Sequence, residues 1–260
     1  MHESHLFNSV KFAQQLHNWY ASPAGQILGK ELENKVEQLL PSLFGYYALQ
    51  VGALCNGVDL LRGSTIGQKT YMAVSPKQGN ITASPLALPF LQDTLDLIVL
   101  PHTLDLSHDP HQVLREAQRV LIPEGHIVLI AFNPMSMMGL CKLALMGSKR
   151  IPWASHFYTA RRLKDWLALL DFTVLTTAHV GIRPPIQNLS VQQRLEFLQN
   201  MDRYGMSRFG SVQLFIAKKR VLTLTPRPES WRPHRGIIPV NVTEPTARQV
   251  KHAKSSRYIH

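Results

Sequence analysis

Cysteine, acidic residues and long apolar runs are all scarce in this chain. Cys55 and Cys141 are its only cysteines. Two are too few for a disulfide framework, and they lack the paired spacing of a zinc site. No metal site is expected, and a reducing, cytoplasmic compartment fits this usage. Only 17 Asp and Glu stand against 28 Lys and Arg, a formal charge of +11. Such an excess draws a protein toward nucleic acid or anionic surfaces, although a basic tail on an ordinary enzyme is the simpler source of it. The longest apolar runs, such as residues 127–132, are strand-length and far short of a bilayer span. The first ten residues lack the basic region and apolar core of a secretory leader. The expectation is a soluble protein of one large domain, with or without appendages.

What is present falls into four stretches. Residues 1–41 read as a helical lead. Phe12, Leu16, Trp19 and Tyr20 recur at helical spacing, Ser22-Pro23-Ala24-Gly25 interrupts, and Ile27, Leu28, Leu32, Val36, Leu39 and Leu40 resume the stripe up to Pro41. Residues 42–220 alternate strand and helix patterns. Strands are predicted at 46–51, 70–74, 81–83, 95–100, 127–132, 172–178 and 212–217. A short helix is expected around 59–62. The clearest helix starts at Asp109, a capping residue followed by Pro110, with Val113, Leu114, Ala117, Val120 and Leu121 on one face. Pro123-Glu124-Gly125 reads as a turn before the next strand. Strand, helix and strand within about 35 residues make a right-handed βαβ unit with parallel strands. Helices are also expected over 163–170 and 190–203. Residues 221–260 differ: five Pro and seven Arg or Lys against two Glu, with no sustained apolar period. They read as an extended or disordered basic tail.

The ordered series Leu88-Pro89-Phe90, Leu95-Asp96-Leu97-Ile98-Val99, Asp109-Pro110, Leu114-Arg115-Glu116 and Arg119-Val120-Leu121-Ile122-Pro123-Glu124-Gly125 resembles the second half of the type 11 methyltransferase domain, of the class I S-adenosylmethionine-dependent family. Downstream, Arg162-Leu163-Lys164-Asp165-Trp166-Leu167 and Leu170-Asp171-Phe172 resemble that family's later helix-to-strand passage. Trp19-Tyr20, Gly25 and Phe132-Asn133-Pro134 are similar to a proteobacterial subgroup of it. The resemblance implies a Rossmann-like α/β fold: seven strands, mostly parallel, one antiparallel near the edge, helices on both faces. It also implies S-adenosyl-L-methionine as cofactor, held at the carboxyl ends of the strands where the strand order reverses.

Residue by residue, the cofactor positions depart from the family pattern in the first half. After the first strand the family carries an acid and then a glycine-rich turn. Here Gln50 stands at the acid, Gly52 and Ala53 follow, and Leu54 replaces the second glycine. At the end of the second strand, where a carboxylate would hold the ribose hydroxyls, Ser75 stands instead. No Asp or Glu lies between Lys69 and Gln92. Only 76–80 separate the second and third strand candidates, too few for a parallel crossover of about a dozen residues. Either the usual helix is missing or one strand assignment fails. Ser84 and Leu86 occupy the adenine-side positions. Pro101-His102-Thr103-Leu104-Asp105 follows the fourth strand and would overhang the transfer site. His102 is the acid/base candidate by its intrinsic pKa, with Asp105 to orient it or to bind substrate, while a simple polar cap at the strand end is the alternative. Methyl transfer itself often needs little more than alignment. The Met-rich stretch 135–146 reads as a substrate-side lid or as a helix packed on the sheet edge.

Three readings follow. The first is a cytoplasmic S-adenosylmethionine-dependent methyltransferase of unidentified acceptor. The second is a catalytically degenerate fold used for binding or regulation, motivated by Gln50, Leu54 and Ser75. The third is an RNA-associated methyltransferase that uses its basic tail.

Overall fold

The computed structural model describes residues 2–52, 54, 58–74, 79–145, 148, 150–182 and 206–220. The stretch 190–203 and the tail 221–260 lie outside the described residues.

One seven-stranded sheet organises the chain. In chain order its strands are β1 (Tyr47–Val51), β2 (Gln68–Ala73), β3 (Ile81–Thr82), β4 (Leu95–Pro101), β5 (Leu121–Phe132), β6 (Phe172–Val180) and β7 (Val212–Lys219). Their spatial order is β3-β2-β1-β4-β5-β7-β6. All pairs from β3 to β5 are parallel, and β7 runs antiparallel to both β5 and β6. The order therefore reverses between β1 and β4, and both strands end on the same edge. Near-continuous burial of Leu95, Leu97, Ile98, Val99 and Leu100 and of residues 127–132 matches strands covered on both faces.

Helices cover the two faces. On one lie α1 (His2–Tyr20) and α2 (Pro23–Leu39). Leu16, Tyr20, Leu28, Leu32 and Val36 share a core with Ala48, Leu97, Val128 and Leu214. The break at Ser22-Pro23-Ala24-Gly25 is a tight corner. Ser22 caps α2 by accepting from the Gly25 amide, with Pro23 in the first turn. A Cβ on Gly25 would lie 2.2 Å from the Trp19 carbonyl oxygen and 2.6 Å from Tyr20 Cα. Only glycine lets α1 and α2 approach so closely.

The opposite face carries α4 (Pro110–Val120) and α6 (Ala160–Leu169). Asp109 caps α4 as expected, accepting from the Gln112 amide at 3.0 Å. Val113, Leu114, Ala117 and Val120 then bury against Leu49, Ile98, Ile127 and Phe215. Arg119 and Glu116 on α4 hold the preceding loop. Arg119 donates to the carbonyls of Leu88 and Phe90, and Glu116 accepts from the Leu88 amide and from Arg119. A one-turn helix α3 (Thr103–Leu106) follows β4, and α5 (Met137–Ala144) follows β5.

Two local expectations change. Residues 60–63 form a turn rather than a helix. Pro123-Glu124-Gly125 does not precede β5 but lies inside it. The β4–β5 ladder jumps from Leu95↔Leu121 to Leu97↔His126, so the turn residues are an irregularity absorbed by one long strand. Glu124 sits there at φ 66°. Of the two alternatives at the β2–β3 junction the first holds: both strands exist and are parallel, with no helix among the described residues between them. Their ladder has only two rungs, Met72↔Ile81 and Ala73↔Thr82. Returning past two rungs needs a path of roughly 7 Å rather than a full crossover. Gly79 permits it by passing so close that a Cβ would meet Tyr71 O at 2.8 Å and Ala73 N at 2.9 Å.

Candidate functional site

The carboxyl ends of β1 and β4 meet at Gly52, Pro101 and Thr103. Gly52 takes φ +100°, a left-handed backbone that favours glycine. Its amide donates to the Met72 carbonyl at 2.7 Å, tying the turn to β2. A Cβ placed on it would find nothing nearer than the Pro101 carbonyl oxygen at 3.7 Å. An added Cβ would thus sit in ordinary van der Waals contact with Pro101 and Thr103, and it is the left-handed φ that calls for glycine here. Thr103 Oγ1 donates to the Val51 carbonyl at 2.8 Å and locks the two strand ends together.

Gln50, at the family's acid position, is 3% exposed. Its Nε2 donates to the Gly52 carbonyl at 2.9 Å, which stiffens the turn. Its Oε1 is buried and has no hydrogen-bond partner among the described residues. A neutral acceptor thus remains where the family places a carboxylate. It suits an ammonium donor such as the methionine end of the cofactor, at lower strength than a charged acid would. Leu54, in place of the second glycine, does not project into the opening: it is fully buried in the core under α1 and α2.

His102 follows directly. Its φ of 53° is left-handed, a strained choice for a non-glycine residue, and its amide donates to the Ile130 carbonyl. The ring is completely buried, stacked on Phe132 at 3.9 Å between centroids. Nδ1 lies 2.8 Å from Asp105 Oδ2, and Nε2 lies 2.7 Å from the Tyr20 hydroxyl. Asp105 Oδ2 also accepts the Phe132 amide at 2.9 Å. Burial pushes the Asp105 carboxyl above the usual aspartate range, against the opposing pull of His102 and the Phe132 amide. In the Nδ1–H tautomer Asp105 accepts from the ring and Nε2 accepts from the Tyr20 hydroxyl. The result is a Tyr20–His102–Asp105 relay running from α1 into the end of β4. Lys142 of α5 lies close enough to Asp105 to oppose that rise, and burial holds Lys142 below the usual lysine range.

The structure thus brings Gly52, Pro101, His102 and Asp105 to one edge. Ser84 and Leu86 belong to a turn beside α4. Ser84 Oγ accepts from the Leu86 amide at 3.3 Å, and the Leu86 carbonyl accepts from Gln112 Nε2. Ala53 and Ser75 lie outside the described residues. Tyr20 and Thr103 are the functional-edge residues that sequence reasoning missed. Tyr20 reads there as one more apolar position of a helical stripe, since its polar partner is 82 residues away. A groove of about 280 Å3 lies elsewhere, between α2 and the end of β6, lined by Glu31, Lys35, His179 and Gly181 among others. That is the outer edge of the sheet, not the β1–β4 reversal.

Comparison with known proteins accords with this geometry. A family model described as a methyltransferase domain matches residues 44–129. The uncharacterized protein YafS of Escherichia coli is 31% identical over 217 residues, covering 81% of this chain and 83% of that protein. Among solved structures, the protein bound to the Trm112 methyltransferase activator in a Haloferax volcanii complex superposes with a TM-score of 0.58 at 14% identity, covering 81% of this chain and 98% of that one. A SAM-dependent methyltransferase from Thermotoga maritima gives 0.57, also at 14% identity, over 83% and 99%. Those identities speak for the fold alone. With the sheet order and these likenesses together, the chain belongs to the class I S-adenosylmethionine-dependent methyltransferases of the type 11 domain family.

Proposed function

We propose that this chain binds S-adenosyl-L-methionine at the β1–β4 edge and transfers its methyl group to an acceptor not identified by any residue constellation. The single observation that carries this is the turn at Gly52. It is left-handed, lies against Pro101 at the end of β4, and is braced by Gln50 and Thr103. The bound cofactor would supply an electrophilic methyl on a sulfonium sulfur. Gly52 and Ala53 would offer backbone to its methionine portion, and Gln50 Oε1 would accept from its ammonium group. Pro101 and His102 would close the space beneath it. Ser75, Ser84 and Leu86 are carried as its adenosine-side contacts.

His102 is proposed as the polar group nearest the transfer position, oriented by Asp105. Its Nε2 is engaged by Tyr20, so it acts on an acceptor proton only when the Tyr20 hydroxyl gives way. Otherwise catalysis rests on alignment. Titration calorimetry of the full chain with S-adenosylmethionine and with S-adenosylhomocysteine tests the reading. Saturable binding of either, weakened in Gly52→Val, is the expected outcome. No heat at millimolar cofactor would leave the degenerate, binding-only reading in its place. A basic-tail contact with RNA falls on residues outside those described.

A further inference from the structure

Helix α5 carries its one charge on the inner side. Met137, Leu140, Leu143 and Ala144 form an exposed apolar arc, while Lys142, the helix's only charged residue, turns inward. Its ammonium donates to the Ser155 carbonyl and lies over the Phe157 ring at 4.3 Å. A surface helix normally shows the reverse arrangement. Burial holds this lysine below the usual lysine range, so its inward position costs free energy. A cation kept inside at that cost implies an anion beside it.

Asp105 is that anion. Ser155 and Phe157, the two residues under the ammonium, flank His156, whose amide donates to the Asp105 carbonyl at 2.8 Å. Phe157 stacks on Phe132 at 5.1 Å, and the Phe132 amide donates to Asp105 Oδ2. Oδ2 is thereby filled, by that amide and by His102 Nδ1. The other oxygen, Oδ1, is buried and has no hydrogen-bond partner among the described residues. Protonated, Oδ1 would be a buried donor with nothing there to accept from it. Ionised, it calls for positive charge close by. The titratable groups that act on this carboxyl come from three directions: His102 after β4, Lys142 of α5 and Tyr158 before α6. Burial and the Asp105 charge push the Tyr158 hydroxyl above the usual tyrosine range, so it stays neutral. One buried carboxylate balances one cation. With Lys142 in that role, a second positive charge on the imidazole is opposed, and the ring keeps a single proton on Nδ1.

We propose that Lys142 is a positioning residue: it keeps Asp105 ionised, and Asp105 in turn keeps His102 neutral, with Nδ1 protonated and the Nε2 lone pair directed to the transfer edge. The use of that lone pair in catalysis rests on the methyl-transfer reading above, but the state of the ring is read without any cofactor. Nitrogen-15 NMR of the full chain with labelled histidine reports both ring nitrogens, the His102 signals being those lost in His102→Gln. In the parent at neutral pH, Nδ1 should carry the proton and Nε2 none. Lys142→Gln keeps a donor for the Ser155 carbonyl and removes the charge. It should raise the proton affinity of the His102–Asp105 pair about tenfold or more. Lys142→Arg should restore the parent profile. Three results would overturn the proposal. One is a parent ring protonated on Nε2 at neutral pH. Another is a Lys142→Gln titration that overlays the parent's, which leaves Lys142 only the tethering of α5. The third is a Lys142→Arg titration that overlays that of Lys142→Gln. Calorimetry of the parent with S-adenosylmethionine is a separate readout: no binding there removes the methyl-transfer reading and leaves the ring state as measured.

Discussion

The Tyr20–His102 contact is a direct way to weigh what holds the N-terminal helices on the sheet. Tyr20→Phe removes one hydroxyl and leaves the ring, so its edge contact with Trp19 at 5.0 Å and its approach to His102 persist. What disappears is the 2.7 Å bond to a completely buried imidazole nitrogen. An ordinary buried hydrogen bond contributes about 1 kcal/mol, and a buried acceptor left without that partner costs up to about 3 kcal/mol. The expected loss is therefore about 2 kcal/mol. For a chain of this size that is a fall of about 4–8 °C in melting temperature. Differential scanning calorimetry or urea unfolding measures it. The same contact should couple to Asp105, because Asp105 sets which ring nitrogen bears the proton. A cycle of Tyr20→Phe with Asp105→Asn should deviate from additivity by about 0.5 kcal/mol or more. A single-variant shift below about 1 °C, far under the expected range, or a strictly additive cycle, would refute the relay as drawn.

Other perturbations discriminate further. Gly25→Ala should destabilise by about 1–3 kcal/mol, since its methyl group would overlap the Trp19 carbonyl and Tyr20 Cα, neither of which can move freely; thermal unfolding shows it. Gly52→Val should destabilise the fold by about 1–3 kcal/mol, because a β-branched residue is strained at φ +100°, and weaken cofactor affinity in calorimetry by shifting that turn. Glu116→Gln should lower stability by about 1 kcal/mol at neutral pH, a modest figure because Arg119 is partly exposed. The Arg119 guanidinium holds the Glu116 carboxyl below its ordinary value. Its contribution is therefore complete above the unfolded pKa and lost as pH falls through the folded one. Parent and variant unfolding curves should converge in acid, and a gap that persists there would contradict the ion-pair account.

Much of the sheet was legible in the sequence because buried parallel strands announce themselves as continuous apolar runs, as at 95–100 and 127–132. The α4 start was equally legible, since Asp109 and Pro110 are local signals that act locally. The start of β5 was not. Pro123-Glu124-Gly125 has the composition of a turn, and only pairing with Leu95 draws it into the strand. At the β2–β3 junction the sequence left two alternatives open, because a rule about crossovers presumes long ladders and this ladder has two rungs. Within the site, Gly52 and His102 were visible as punctuation at strand ends. Tyr20 was not, because a tyrosine in an apolar stripe gives no sign that its hydroxyl will meet a histidine from another element. The inward turn of Lys142 was likewise invisible, and with it the bare apolar arc of α5.

The corner at Gly25 and the Tyr20 hydroxyl have one joint consequence for traffic through the cleft. No ligand atom can reach His102 Nε2 without replacing the Tyr20 oxygen, and Tyr20 is the last residue of a nineteen-residue helix. Admission to that nitrogen therefore removes one of the contacts that hold the end of α1. Amide exchange in α1, far along the chain from any cofactor contact, becomes a meter of occupancy: a ligand that takes Nε2 loosens the helix, and one that stops short of it leaves exchange unchanged.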